Sequence, residues 1–176
     1  MKYLLILIFF NLSVLAYAGE VDSLKVSSST FFAGETMPEF TTCEGEDTSP
    51  ALKWSDAPDG TKSFAIIADD PDAPNTTWVH WIVYDIPASV TFLEEGQGSS
   101  ESIFHGAKHG VNDFGNKNYG GPCPPAGHGV HRYYFKVYAL DEMLDLEPGP
   151  SKAELLEAME GHILAKGSIK GLYERP

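Results

Sequence analysis

The sequence predicts a mainly β protein: a two-sheet antiparallel β-sandwich with one or two short helices. Three observations carry that expectation. Gly and Pro, 17 and 12 of 176 residues, recur along the whole chain and break it into short segments. Most of those segments are β-branched or aromatic, and several alternate with the two-residue period of a strand. No internal repeat, low-complexity tract or linker divides the chain, so one domain with one core is expected.

That domain follows a targeting segment. Met1-Lys2 is a short positive start, Tyr3 to Phe10 is an unbroken apolar run, and Ala16-Tyr17-Ala18 fits a small-x-small cleavage site. Residues 1–18 read as a secretory signal peptide and residues 19–176 as the mature domain, exported to a periplasmic or secreted location. Asn11 and Ser13 interrupt the run too early for a membrane-spanning helix, and no later apolar stretch is long enough. No Cys follows the cleavage site, so stable membrane anchoring is not expected after cleavage. The formal charge is −13, and removing the single positive charge of Lys2 makes it −14. Such a field repels nucleic acid and anionic membranes at long range. No nucleic-acid partner is expected, and any bound anion must be held by a local arrangement of groups. Of the two cysteines, Cys43 and Cys123, an oxidising compartment permits a bridge, while two separate buried thiols fit the sequence equally.

The elements are taken in chain order. Leu24–Ser28 and Ala51–Trp54 are weak strand candidates. Ser63–Asp69 is apolar on both faces, with Phe64, Ile66 and Ala68 on one and Ala65 and Ile67 on the other, as in a central strand. Trp78–Ile86 alternates Trp78, His80, Ile82 and Tyr84 against Val79, Trp81 and Val83. Residues 94–119 form a long, Gly-rich stretch of weak periodicity, and loops of that length are commonly functional. His131–Leu140 sets His131, Tyr133, Phe135, Val137 and Ala139 against a polar face with Arg132 and Lys136. Ser151-Lys-Ala-Glu154 is a capping box, followed by Leu155, Leu156, Met159 and Ile163 at helical spacing. Gly161 weakens that helix and Gly167 lies beyond it. Lys166–Tyr173 reads as a final short strand.

Two segments carry chemistry. Asp69-Asp70-Pro71-Asp72-Ala73-Pro74 directly follows a buried strand, and Asp70 continues the parity of Phe64, Ile66 and Ala68. An ionised carboxylate there must be paired or hydrogen-bonded. The bland alternative is a solvated Asp-Pro turn. The second segment runs from Tyr119 to Tyr133. Gly120 and Gly121 let backbone approach a ligand and aim N–H groups into a concavity. Pro122, Pro124 and Pro125 stiffen the loop beyond them, and His131 and Tyr133 share one strand face. The bland alternative is a tight loop with satisfied core residues. His80, on the strand after Pro74, is the third contributor to one end of the sandwich.

These residues carry a resemblance to the phosphatidylethanolamine-binding protein family, which includes the Raf-kinase-inhibitor-like proteins, and within it to the bacterial branch. The matching motifs are Asp70-Pro-Asp-Ala-Pro74, Trp78-Val-His-Trp81, Gly120-Gly-Pro-Cys-Pro-Pro125 and His131-Arg-Tyr133. Thr42-Cys-Glu-Gly45, Ser49–Trp54 and the tail from Gly161 to Tyr173 also match. The resemblance implies a sandwich with a pocket for phosphate-type anions, lined by Asp70, His80, His131 and Tyr133. It adds Asp72 as a second acidic position, Gly120, Gly121 and Cys123 as backbone facing the anion, and Trp78 at the rim. It makes a homodimer plausible. The chain stops at Pro176, so the additional C-terminal helix of the mammalian members is not expected. Export argues against a cytosolic kinase-inhibitor role.

The function expected is small-ligand binding without catalysis and without a cofactor. Asp70 would raise the pKa of a histidine, His80 and His131 would donate to the anion, and Trp78 could face an ammonium group. A protein-interaction or inhibitor role, with a pocket that modulates partner binding, is the main alternative. A two-histidine, one-carboxylate metal site and a hydrolase are further readings, but no Gly-x-Ser-x-Gly elbow is present. His105 and His109 read as solvated, His128 as a possible rim residue and His162 as a helix packing residue. Asn75-Thr-Thr77 is a formal glycosylation acceptor.

Overall fold

The computed structural model describes residues 22–99, 106–144 and 146–176. The proposed signal peptide and His105 lie outside them. Among the described residues the strands are β1 (Asp22–Ser23), β2 (Lys25–Ser27), β3 (Leu52–Ser55), β4 (Ser63–Asp70), β5 (Trp78–Pro87), β6 (Phe92–Leu93), β7 (Lys108–His109), β8 (His131–Leu140) and β9 (Ile163–Tyr173), with one α-helix, α1 (Lys152–Ala158). They form a six-stranded sheet, β1-β9-β8-β4-β5-β7, and a three-stranded sheet, β2-β3-β6. Pairing is antiparallel throughout, except where β1 runs parallel to β9.

β4 is central because neither of its faces can meet water. Phe64, Ile66 and Ala68 enter the core between the sheets, against Leu52, Trp54 and Leu93 of the small sheet. Ala65 and Ile67 enter a second cluster on the outer face, with Leu155 of α1 and Met159, which caps its C-terminus. Each large apolar side chain so buried contributes roughly 1.5–3 kcal/mol. β8 obeys simple alternation, with its odd positions inward.

β5 does not alternate as expected. Its pairing with β4 slips between Ala68–Trp81 and Asp69–Val79, leaving His80 as an extra residue. This bulge turns the strand over, so Val79 joins Ile82 and Tyr84 on the outer face, while His80 turns toward Tyr133. A second slip lies between Phe64 and Ile66, opposite Asp85, whose φ is 56°.

The capping box is present: Ser151 Oγ accepts from Glu154 N–H, and Glu154 Oε2 accepts from Ser151 N–H at 2.7 Å. The helix is shorter than its apolar spacing suggested. Gly161, at φ 84°, reverses the chain, so Ile163 opens β9 and the last strand is longer than Lys166–Tyr173. Leu156 faces solvent. His162 is no packing residue: it lies half-exposed, with Nδ1 2.9 Å from Asp141 Oδ1. His109, expected in solvent, is buried beside Trp81, whose Nε1–H donates to its Nδ1 at 3.3 Å.

Candidate binding pocket

The antiparallel pairing of β4 with β8 sets the end of one beside the start of the other, Asp69 opposite Tyr134. Asp70 therefore arrives next to His131 and Tyr133. A cavity of about 200 Å³ opens there. Asp70, Trp78, His80, Cys123, His131 and Tyr133 line it, all of them expected from the sequence. Ala73, Pro74, Phe114, Pro124 and Pro125 complete the wall.

Asp70 is compensated by two donors. Its Oδ2 accepts the Nδ1–H of His131 at 2.7 Å, and its Oδ1 accepts the Asp72 N–H at 2.8 Å. Since Nδ1 of His131 donates to a carboxylate, Nε2 is the ring's other polar atom. It lies 2.7 Å from Nδ1 of His128, and one of the two imidazoles must supply the proton between them. His128 stands in a turn between Gly127 (φ 73°) and Gly129 (φ 87°), which lets an exposed loop residue reach back to a buried one.

His80 plays a different part from the one expected. Its Nδ1–H donates to the Gly120 carbonyl at 2.7 Å, so in the neutral ring Nε2 carries the lone pair. Burial pushes the His80 pKa below the ordinary imidazole value, against smaller opposing effects of the Gly120 carbonyl and the Asp70 charge. A neutral acceptor, rather than a charged donor, faces the cavity at neutral pH. The ring is held edge-on to Tyr133 and Phe114, at 5.2 and 5.4 Å between centroids, and Trp78 packs edge-on to Phe114.

Gly120 and Gly121 also depart from expectation. The Gly120 N–H donates to the His80 carbonyl, and the Gly121 N–H to Asp47 Oδ1 at 2.6 Å, so neither is left for a ligand. Their smallness serves packing. A Cβ at Gly120 would stand 2.7 Å from the Phe114 ring, and one at Gly121 would stand 2.2 Å from the Thr41 carbonyl. Asp72 lies outside the cavity. It takes Nε and Nη2 of Arg132 at 2.8 and 2.7 Å, together with the Arg132 N–H at 2.9 Å. These bonds hold its carboxyl below the usual range and pin the Asp-Pro turn to β8.

The loop behind the cavity is fastened covalently. Cys43 and Cys123 form a disulfide across a sequence separation of 80, and Cys43 N–H donates to the Pro122 carbonyl. The Tyr119 hydroxyl donates to Thr41 O at 2.9 Å.

Two polar atoms of the wall stand out. The Tyr133 hydroxyl is buried and interacts only with the Asp70 carboxylate, short of full hydrogen-bond geometry, and Trp78 Nε1 is buried without a hydrogen-bond partner among the described residues. Trp54 Nε1 shares that condition, but deep between the sheets. Burial first, and then the Asp70 charge and the hydroxyl's hydrogen-bonding interaction with that carboxylate, raise the Tyr133 pKa above the ordinary phenol value, so it remains a donor. Among the described residues no group of three His, Cys, Asp or Glu side chains is placed to hold a metal. Of the residues around the cavity, Phe114 and Asp47 escaped the sequence reading, and His128, read as a rim residue, was not linked to His131. No local spacing points to Phe114 or Asp47, because loop closure brings them in.

Residues 27–174 match the family described as phosphatidylethanolamine-binding protein. The UPF0098 protein of Aquifex aeolicus is 51% identical over 153 residues, covering 86% of this chain and 89% of that one. The crystal structure of Escherichia coli YbcL superposes with a TM-score of 0.82 at 38% identity, over 88% of this chain and 99% of that one. A homologue from Chlamydia trachomatis gives 0.79 at 41%, with the same coverage. The motifs around Asp70, His80 and His131, the two-sheet fold and these similarities agree: the chain belongs to the phosphatidylethanolamine-binding protein family.

Proposed function

We propose that this chain is an exported, non-enzymatic binding protein that holds a small phosphate-bearing anion in the cavity between β4, β5 and β8. The observation that carries the reading is the convergence of Trp78, Tyr133 and His131 on one small cavity: Trp78 Nε1–H has no hydrogen-bond partner among the described residues, and the Tyr133 hydroxyl has none beyond its interaction with Asp70. A buried donor without a partner costs about 1–3 kcal/mol, which a seated anion would relieve. His131 supports the same reading. Asp70 holds its Nδ1–H, so when the ring is protonated Nε2–H can leave His128 for an anion. The carboxylate then serves as a counter-charge to imidazolium rather than as a ligand. A ring face of Trp78 or Phe114, both in the cavity wall, suits the ammonium end of a zwitterion such as phosphoethanolamine. Export rests on the residue pattern of 1–18.

Calorimetry with inorganic phosphate and with phosphoethanolamine tests the reading. Wild type should bind. His131→Ala should weaken binding by about 10- to 100-fold, the worth of a charge-assisted hydrogen bond. Equal affinity in the two proteins would sink the assignment.

A further inference from the structure

The outer face of the six-stranded sheet is covered unevenly. Leu155 of α1 and its capping residue Met159 pack over β4 and β5 and over the Tyr138–Leu140 end of β8. The β8–β9 half carries Arg132, Tyr134, Lys136 and Tyr138 at the outward positions of β8. Pairing sets Tyr134 opposite Lys170, and Tyr138 opposite Lys166. Each tyrosine thus has a cation across the strand and another along it, at the short spacing of cross-strand neighbours. Lys152, at the start of α1, extends the cations beyond β8. Two open depressions, of about 390 and 570 Å³, meet at Lys136.

The charge of this face is opposite to that of the chain. Arg132, Lys136, Lys152, Lys166 and Lys170 stand there against Asp69 and Asp72, whereas the whole chain has 12 Lys and Arg against 25 Asp and Glu. Among the described residues Lys166 and Lys170 have no ion-pair partner. Asp69 is buried and shared by Lys136 and Lys152, so one negative charge faces two positive ones.

We propose that this strip docks an anionic polysaccharide. Its carboxylate or sulfate groups would meet Lys166 and Lys170, and its sugar rings would lie along Tyr134 and the open side of Tyr138, whose other side packs against the α1 cluster. Three features favour this occupant. The strip from Arg132 to Tyr138 is about 20 Å long, and its cations are sparse, as are charges separated by sugar rings. Duplex DNA carries one charge per ~1.7 Å, and a chain of net charge −13 repels that density strongly. A bilayer would need apolar groups to insert, yet none of the exposed large apolar side chains lies within the strip itself, between Arg132 and Tyr138 or at Lys166 and Lys170.

The test is binding of the purified protein to polygalacturonate and to heparin, with neutral dextran, a DNA oligonucleotide and phosphatidylglycerol vesicles as comparison arms. Wild type should bind one or both acidic polysaccharides, with salt-dependent affinity, and should not bind dextran. The double substitution Lys166→Glu, Lys170→Glu should weaken that binding by about tenfold or more. Lys53→Glu, exposed on the opposite sheet, and His131→Ala, in the cavity, should leave it within about twofold. Retention of melting temperature shows that the variants are folded. Binding to neither polysaccharide, binding confined to DNA or vesicles, or an equal loss in Lys53→Glu overturns the proposal.

Discussion

Asp69 and Asp70 are neighbours on β4, both almost fully buried, and they are compensated in opposite ways. Asp69 faces the outer side. Both its oxygens accept from Lys136 at 2.7 Å, and Oδ2 also accepts from Lys152 at 2.6 Å. Three elements, β4, β8 and α1, meet at that one carboxylate. Asp70 faces the cavity and is held by a histidine and a backbone N–H. Lysine ammonium groups hold the first permanently. The second is held by a ring whose free nitrogen shares a proton with His128. The two-residue period of a strand places these environments one residue apart. A buried carboxylate tied to lysines fastens the fold, while one tied to an imidazole orients a group that can still exchange partners.

That contrast can be broken by experiment. The largest effect is expected from Asp69→Ala, which leaves two partly buried ammonium groups without their counter-ion. Breaking a buried pair costs roughly 3–5 kcal/mol, and the partial exposure of both lysines puts this case at about 3. Urea unfolding should report the loss, while phosphate affinity of the folded fraction should stay unchanged. Asp70→Asn should be milder for the fold, at about 1–2 kcal/mol, because Oδ1 can still accept from Asp72. Its phosphate affinity should fall by about tenfold, since His131 loses the carboxylate that accepts its Nδ1–H and fixes its ring. The reverse ranking of the two variants in stability, with affinity lost at Asp69, would overturn the comparison.

The smallest effect is a pH slope from His80. Its folded pKa lies below the ordinary value of 6.5, so below that pH the unfolded chain takes up a proton that the folded one refuses. Stability is therefore full above about pH 6.5 and declines as pH falls. Melting curves from pH 7.5 to 5.5 should fall less steeply for His80→Gln than for wild type. Identical slopes would remove His80 from the account.

How much of this was legible in the sequence depends on which contacts are local. Alternation along β4 and β8 placed Asp70, His131 and Tyr133 on the cavity side, and the capping box at Ser151 was readable because it spans a few residues. β5 defeated the same rule. Alternation put His80 with Ile82 and Tyr84, and an unpaired bulge residue, invisible to a period count, turned it to the cavity. Gly120 and Gly121 looked like ligand-facing backbone, because their N–H partners, Asp47 and the His80 carbonyl, lie far away in sequence. Helical spacing carried α1 past its end, since the left-handed Gly161 stops the chain where apolar spacing continues.

The Cys43–Cys123 bond has a consequence for damage as well as for shape. The stretch it closes includes β3 to β7, with Asp70 and His80, while His131 and Tyr133 lie beyond it. A protease that cuts once between the two cysteines opens the backbone but frees neither piece. The nicked protein remains one covalent body, both halves of the cavity still joined beside it, and it separates into two fragments only when a reductant and a denaturant act together.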